Sequence, residues 1–453
     1  MPGTISAHGL GGAKDLPIPS ELAIAGAVAA LVVSFTVLAV AWREPRYDPA
    51  TSGRPAPAWL DGLVSSRGFA VFTRTVGMVF FLYVGAAAVL GKDTLVNPFL
   101  GTFYALLWVG LVPASLLLGP FFKAVSPART IALLLAKASG VPEGEGMRPY
   151  PERLGYWPAA AGLFAFVWLE LCYPHSTDVG PVRLWCALYL AIMLIGSAVW
   201  GTRFLERADP FEVYSSMVAR LSVWGRRETV GTVPGEADRD RGRLVLRSPL
   251  ANLATLRARP GLVAVVGVLF GSTAFDSFRE STPWLTFVQS LSTSRVLPDT
   301  LGLLAFCGGV VAILAVATMA TGVTSDTPRR ALPDLFAHSI VPIIVGYIAA
   351  HYLTFLFEYG QLVVIQLSDP FTRGDNYLGT ADLQVSYWIS GHPTALAVVK
   401  VLAVVTGHVV GVVAAHDRAI TLLPRRHQLT GQLPLLVAMV AFTAGGLYLL
   451  FAA

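Results

Sequence analysis

The sequence predicts an all-α, polytopic transmembrane helix bundle of about ten spans. Three observations predict it. Of 453 residues, 54% are hydrophobic and 13% charged, against the roughly 25% charged expected of a soluble domain. Mean hydropathy is +0.62. Apolar runs near the length that crosses a bilayer, about 20 residues, recur from one end of the chain to the other. The chain reads as a single integral membrane domain over 1–453.

Residues 1–20 are a polar, Gly- and Pro-rich extracytoplasmic segment without the basic start and apolar centre of a signal peptide. Spans are expected over 21–42, 70–91, 98–119, 157–173 and 183–201. Between the third and fourth, SPARTIALLLAKASG reads as an amphipathic helix along the interface. The longest polar segment, 202–260, is basic. It opens with a second amphipathic interfacial helix carrying Phe211, Val213, Tyr214, Met217, Leu221 and Trp224 on a rough apolar face. Its charged stretch GTVPGEADRDRGRLVL reads as a loop or short hairpin. Spans six and seven fall over 261–278 and 300–321, with a short re-entrant or interfacial piece over 279–299. Span eight, 334–357, is expected to bend at Pro342. A long extracytoplasmic loop over 358–391 leads to spans nine and ten, 392–415 and 433–452.

Loop charges orient the chain. One set of loops holds Arg43, Arg46, Arg54 and Arg67, then Lys123 to Arg153, eleven arginines from Arg203 to Arg259, Arg329 and Arg330, and Arg418, Arg425 and Arg426. The other holds Lys14, Lys92, Arg183, Arg279, Arg295 and Arg373. The basic set is expected in the cytoplasm, with both termini outside. The net charge of +5 therefore marks orientation and not a nucleic-acid partner. The lipid bilayer is the first partner. The basic face leaves room for a homo-oligomer or a membrane-complex partner. Three cysteines exclude a disulfide scaffold; Cys172 and Cys186 flank one turn, but unpaired buried thiols are the expectation.

Ionisable residues inside spans are costly and mark functional positions by default. Helical rise sorts them by depth. An outer group gathers Glu170, Asp276, His351, Glu358 and His392, with Glu280 and His175 nearby. An inner group gathers His338, His408, His416 and Asp417, and Lys400 lies between them. His351 and Glu358, seven apart, are expected on one helix face; His338 and His351, thirteen apart, lie about 140° apart and serve different places. Imidazole and carboxylate are the ligand types of Zn, Fe or Mn. On this reading His351 and Asp276 are first-choice metal ligands, and His392 and His8 are additional ones. Glu358 is a ligand or general base, and Glu358 and Asp276 carry catalysis. One transition metal with an open position would supply an activated water. The same residues also suit helix joining by hydrogen bonds, with Lys400 neutralising Asp276 or Glu170.

Several phrases occur together: AHGLGGAKDLPIP, NPFLGTFYALLWVGLVPASLLLGP, DPFEVYSSMVARLSVWGR, GSTAFDSF and HVVGVVAAHDRAITLLPRRHQLTGQLPLL. Over nearly its whole length the chain resembles a group of bacterial, largely actinobacterial, polytopic membrane proteins often labelled fenitrothion hydrolase. The resemblance implies a multi-pass protein of the bacterial plasma membrane and hydrolysis of a phosphotriester-like substrate. It supplies no catalytic motif to carry over. Two other function classes fit the sequence. One is a secondary transporter or channel, with polar residues on both sides of mid-depth. The other is a non-catalytic membrane subunit of a respiratory or metal-handling assembly.

Overall fold

The computed structural model of the chain describes residues 13–227, 242–291, 294–321, 327–424, 427–428 and 430–451. His8 and most of the charged stretch after Arg227 lie outside the described residues. Nine helices are long and apolar enough to cross a membrane, or ten if one bent helix is counted as a span, among the described residues. The chain is thus embedded in a bilayer through multiple apolar helices, as a multi-pass membrane protein.

The spans follow the expected order. α1 is Ser20–Ala41 and α2 is Arg67–Leu90. α3 is bent: Pro98–Val109 meets Leu111–Leu118 at 45°, and Thr102–Val109 within it is π-helical. After the short amphipathic α4, Pro127–Ala138, come α5, Trp157–Leu171, and α6, Val179–Trp200. Two short helices follow, α7, Thr202–Ala208, and α8, Pro210–Val218. The remaining spans are α9, Leu262–Arg279, α10, Val296–Met319, α11, Arg329–Gln366, α12, Pro393–Leu422, and α13, Leu433–Phe451. The piece expected between spans six and seven is a short helix, Thr282–Ser290. Outside the bundle a small antiparallel sheet joins β1, Arg54–Pro55, β2, Trp224–Arg227, and β3, Arg243–Leu246, in the order β1-β3-β2.

Loops meet in two groups. At one end, the Arg46 amide donates to Asp417 at 2.8 Å, Arg247 reaches the Pro49 carbonyl at 2.9 Å, and Arg259 pairs with Glu152 at 2.7 Å. At the other, the Lys92 amide donates to Thr372 at 3.1 Å and the Val179 amide to Asp93 at 2.9 Å. These are the two loop sets separated above by their charge. We call them the basic end and the opposite end.

α11 and α12 pack at backbone distance. A Cβ on Gly346 would lie 2.4 Å from the Ala403 carbonyl oxygen, and one on Gly407 would lie 2.5 Å from that of Pro342. Only glycine permits this approach, which brings the backbones together as small residues do in membrane interfaces. Pro342 sits in the first α-helical turn after a 3-10 turn, Ala337–Ile340, where no intrahelical amide bond is required of it. The helical run continues without a sharp break to Gln366, well past Glu358.

The expected interfacial helix after residue 208 is corrected. Every residue of α8 except Ser216 is buried. α7 turns back along α6: Phe204 lies where a Gly196 side chain would go, and the Tyr189 hydroxyl donates to Asp209 at 2.9 Å. From Trp200 back to Tyr189 is about 16 Å of helix. α7 and α8 therefore re-enter the bundle as a hairpin with Asp209 at its tip. Asp209 also caps α8 by accepting the Phe211 and Glu212 amides at 3.0 and 3.2 Å. Asp209, Glu212 and Ser215 are buried here with partners, while the Tyr214 hydroxyl is buried without one. Glu212 forms a bidentate bridge to Arg129 of α4, at 2.5 and 3.1 Å, and Ser215 shares a 2.8 Å bond with Ser115. An apolar-face reading does not anticipate this, since it assigns the polar side to water.

Removing one partner of a buried ion pair leaves the other uncompensated, at a cost of roughly 3 kcal/mol. Glu212→Ala should therefore lower the thermal midpoint in detergent markedly. The double variant Glu212→Ala/Arg129→Met should recover part of the loss.

Candidate functional site

The membrane-embedded polar site lies between α9 and α11. Asp276 and Ser277 come from the last turn and a half of α9; Tyr347, His351 and Tyr352 come from α11. His351 is 5% and Asp276 6% exposed. Tyr347 and His351 are four apart and share a helix face.

Asp276 Oδ2 is the hub. It lies 2.9 Å from His351 Nε2 and accepts the Tyr352 hydroxyl at 2.8 Å. The other imidazole nitrogen, Nδ1, lies 3.1 Å from Ser277 Oγ, which is 3.2 Å from the Tyr347 hydroxyl. With Asp276 ionised, Nε2 is the nitrogen that carries a hydrogen and donates to it, which fixes the ring's orientation and tautomer. The Tyr347 ring is parallel to that of His351, with centroids 6.4 Å apart, and the Tyr352 ring meets it edge-on at 4.5 Å.

Further charges surround this core. Glu170 on α5 interacts electrostatically with Asp276, Tyr352, Tyr104 and Arg279. Its Oε2 is buried without a hydrogen-bond partner. Glu280 acts on both Asp276 and His351. Two π-helical segments border the site, Thr102–Val109, which carries Tyr104 and Trp108, and Phe355–Tyr359, three residues beyond Tyr352. π turns occur frequently at functional sites, where an inserted residue re-aims the side chains after it.

The expected metal centre does not form. Among the described residues, no group of three or more His, Cys, Asp and Glu side chains is placed to hold an ion. His351 and Asp276 do meet, but as a hydrogen-bonded pair. Glu358 is directed elsewhere: its Oε1 accepts the Ser390 amide at 3.1 Å and the Ser390 hydroxyl, anchoring the end of the long loop. The reason lies in Phe355–Tyr359. A π turn advances each residue by less than the about 100° of an α-helix, so positions seven apart no longer share a face. His392 is exposed; it bonds the Trp388 carbonyl at 2.7 Å and packs on the Trp388 ring at 4.7 Å. His175 pairs with Asp178 at 2.9 Å on the surface. His8 falls outside the described residues. The readings of a bound transition metal and of a metal-dependent hydrolase are therefore overturned.

The other expected groups also separate. Lys400 is buried and interacts with Asp15, ahead of α1. His338 and His408 bond carbonyls of their own helices, Leu335 at 3.1 Å and Val404 at 2.8 Å. His416 ties three spans together: its Nε2 lies 3.0 Å from the Trp42 carbonyl and its Nδ1 3.0 Å from Gln432 Oε1. The three cysteines are free. Ser277, Tyr347 and Tyr352 were not anticipated, because the sequence search weighed only imidazole and carboxylate. The signal was present: Ser277 adjoins Asp276, and Tyr347 and Tyr352 are four and one residues from His351.

No family model matches this chain, and no curated protein or solved structure matches it.

Because Glu358 holds the loop and not the Asp276–His351 pair, Glu358→Ala should speed limited proteolysis between 367 and 392 while leaving the pair's chemistry unchanged. Loss of any His351 signature in that variant would contradict the assignment.

Proposed function

We propose that this protein is a proton-linked secondary transporter, with the Asp276–His351 pair as its proton-exchanging site. One observation carries the reading: a carboxylate and an imidazole bonded to each other at 2.9 Å inside a membrane bundle, backed by a chain of hydroxyls. Ionisable residues at such positions mark ion pathways and proton relays in pumps and transporters. Imidazole is the side chain suited to gaining and losing a proton near neutral pH.

Two further features support transport. The hairpin α7–α8, the bent α3 and the π turn in α11 put irregular backbone at membrane depth, shielded by protein. That is tolerated where helices bury it or line a pathway. Transporters use such broken helices to form their binding sites. A cavity of about 400 Å³ opens at the basic end of α11 and α12, bordered by Asp48, His338, Asp417 and Arg418. It offers a polar approach to α11 from the end away from His351.

We place the chain in the bacterial plasma membrane, with the basic end in the cytoplasm and the segments before α1 and after α13 outside. The loop charges support this orientation. The resemblance to bacterial polytopic proteins supports the location, and we propose membership of that group without the hydrolase activity its label implies.

The transport reading is tested on the full chain adsorbed as proteoliposomes on a solid-supported membrane. A pH step should evoke a transient current as protons enter a site within the membrane field. Asp276→Asn and His351→Gln should each abolish it; an unchanged current in both would remove the pair from the pathway. Orientation is tested in a background lacking Cys172, Cys186 and Cys307. An impermeant maleimide should label Tyr377→Cys in intact cells and Met147→Cys only after permeabilisation. The reverse pattern would invert the assignment.

A further inference from the structure

We infer that Ser277 is the positioning residue that lets His351 carry either proton state inside the bundle. The inference rests on the transport reading above and names the group through which that site would switch.

The geometry around one hydroxyl carries it. Ser277 Oγ has two places to send its hydrogen: His351 Nδ1 at 3.1 Å and the Thr273 carbonyl, one turn back on α9, at 3.3 Å. It also lies 3.2 Å from the Tyr347 hydroxyl. A serine oxygen can donate one hydrogen bond and accept two.

With a neutral imidazole, Nε2–H donates to Asp276 Oδ2, and Nδ1 accepts the Ser277 hydroxyl. Tyr347 donates its hydroxyl to Ser277 Oγ. When Nδ1 takes up a proton, the imidazolium donates from both nitrogens, to Asp276 Oδ2 and to Ser277 Oγ. The Ser277 hydrogen then turns to the Thr273 carbonyl, while Tyr347 continues to donate to Ser277. One proton is added on Nδ1, one hydroxyl hydrogen rotates, and no heavy atom moves. Every group in the chain keeps a partner in both states, which a buried network requires.

Titratable and charged groups face the pair from several elements. Asp276, Arg279 and Glu280 belong to α9, Glu170 faces the pair from α5, and Tyr347 and Tyr352 lie on α11 itself. Tyr104 on α3 responds to Glu170. On α12, which packs against α11, Lys400 interacts with Asp15 and His408 bonds Val404. Ser277 Oγ is the group that meets Nδ1, at 3.1 Å.

A bond to a charged donor is worth more than one to a neutral acceptor, by enough to change an equilibrium roughly tenfold. Removing the hydroxyl therefore weakens the protonated state more than the neutral one. The test is the pH profile of the proton-binding current of reconstituted full-length protein. Ser277→Ala should need roughly tenfold more protons for half-maximal charge movement, in protein that thermal unfolding shows to be still folded. Ser277→Thr, which restores the hydroxyl, should return the profile to that of wild type. A wild-type profile in Ser277→Ala overturns the inference and leaves the transport reading standing. A shifted profile that Ser277→Thr fails to restore also overturns it, since the effect would then come from packing. Absence of any proton-binding current in the wild-type protein overturns both.

Discussion

In a bilayer, a buried polar group must find its partner inside the protein, and most of this architecture follows from that constraint. Asp276 finds His351 and Tyr352. Glu212 finds Arg129, Asp209 finds Tyr189 and two amides, and Glu358 finds Ser390. Apart from the two amides that Asp209 caps, each pair links different elements. The polar residues therefore act as joints, fixing which helices meet, while apolar residues fill the space between them. Asp276–His351 differs from the other joints because one partner is an imidazole whose remaining nitrogen faces a rotatable hydroxyl. It can join helices and still change its charge.

The helices are irregular where these joints occur. α3 is π-helical and bent beside the site, α11 has a π turn just beyond it, and α7–α8 reverses direction inside the bundle. Such backbone is stable at this depth only because protein surrounds it. The glycine contacts between α11 and α12 give that surrounding density, holding two long helices at backbone distance.

Much of the fold was legible in the sequence. Apolar run length placed most spans to within a few residues, but α11 runs nine residues past the expected end at 357, into the expected loop, and α12 seven past 415; loop charge sorted the span ends into the two groups that the loop hydrogen bonds also form. Asp276 and His351 were singled out as the leading residues and do meet. What failed was the geometry beyond them. Helical phase put Glu358 with His351, but a π turn rotates it onto Ser390. Periodicity cannot foresee a π turn, because the sequence pattern on either side is equally apolar. α8 was read as amphipathic because its polar residues were assigned to water; their partners, Arg129 and Ser115, lie on other helices. The metal reading counted ligand types at similar depth, yet depth says nothing of direction around the helix. Two of the assumed ligands within the described residues, Glu358 and His392, point to separate places.

The central claim is that His351 changes protonation state within the bundle. It is tested most directly by nitrogen-15 resonance of histidine-labelled protein in lipid, with His351 assigned by its glutamine variant. The account predicts one protonated and one bare ring nitrogen in alkaline medium, and two protonated nitrogens after acidification without unfolding. A His351 ring that keeps a single state while the protein remains folded would contradict it, and the pair would then be a structural joint like the others.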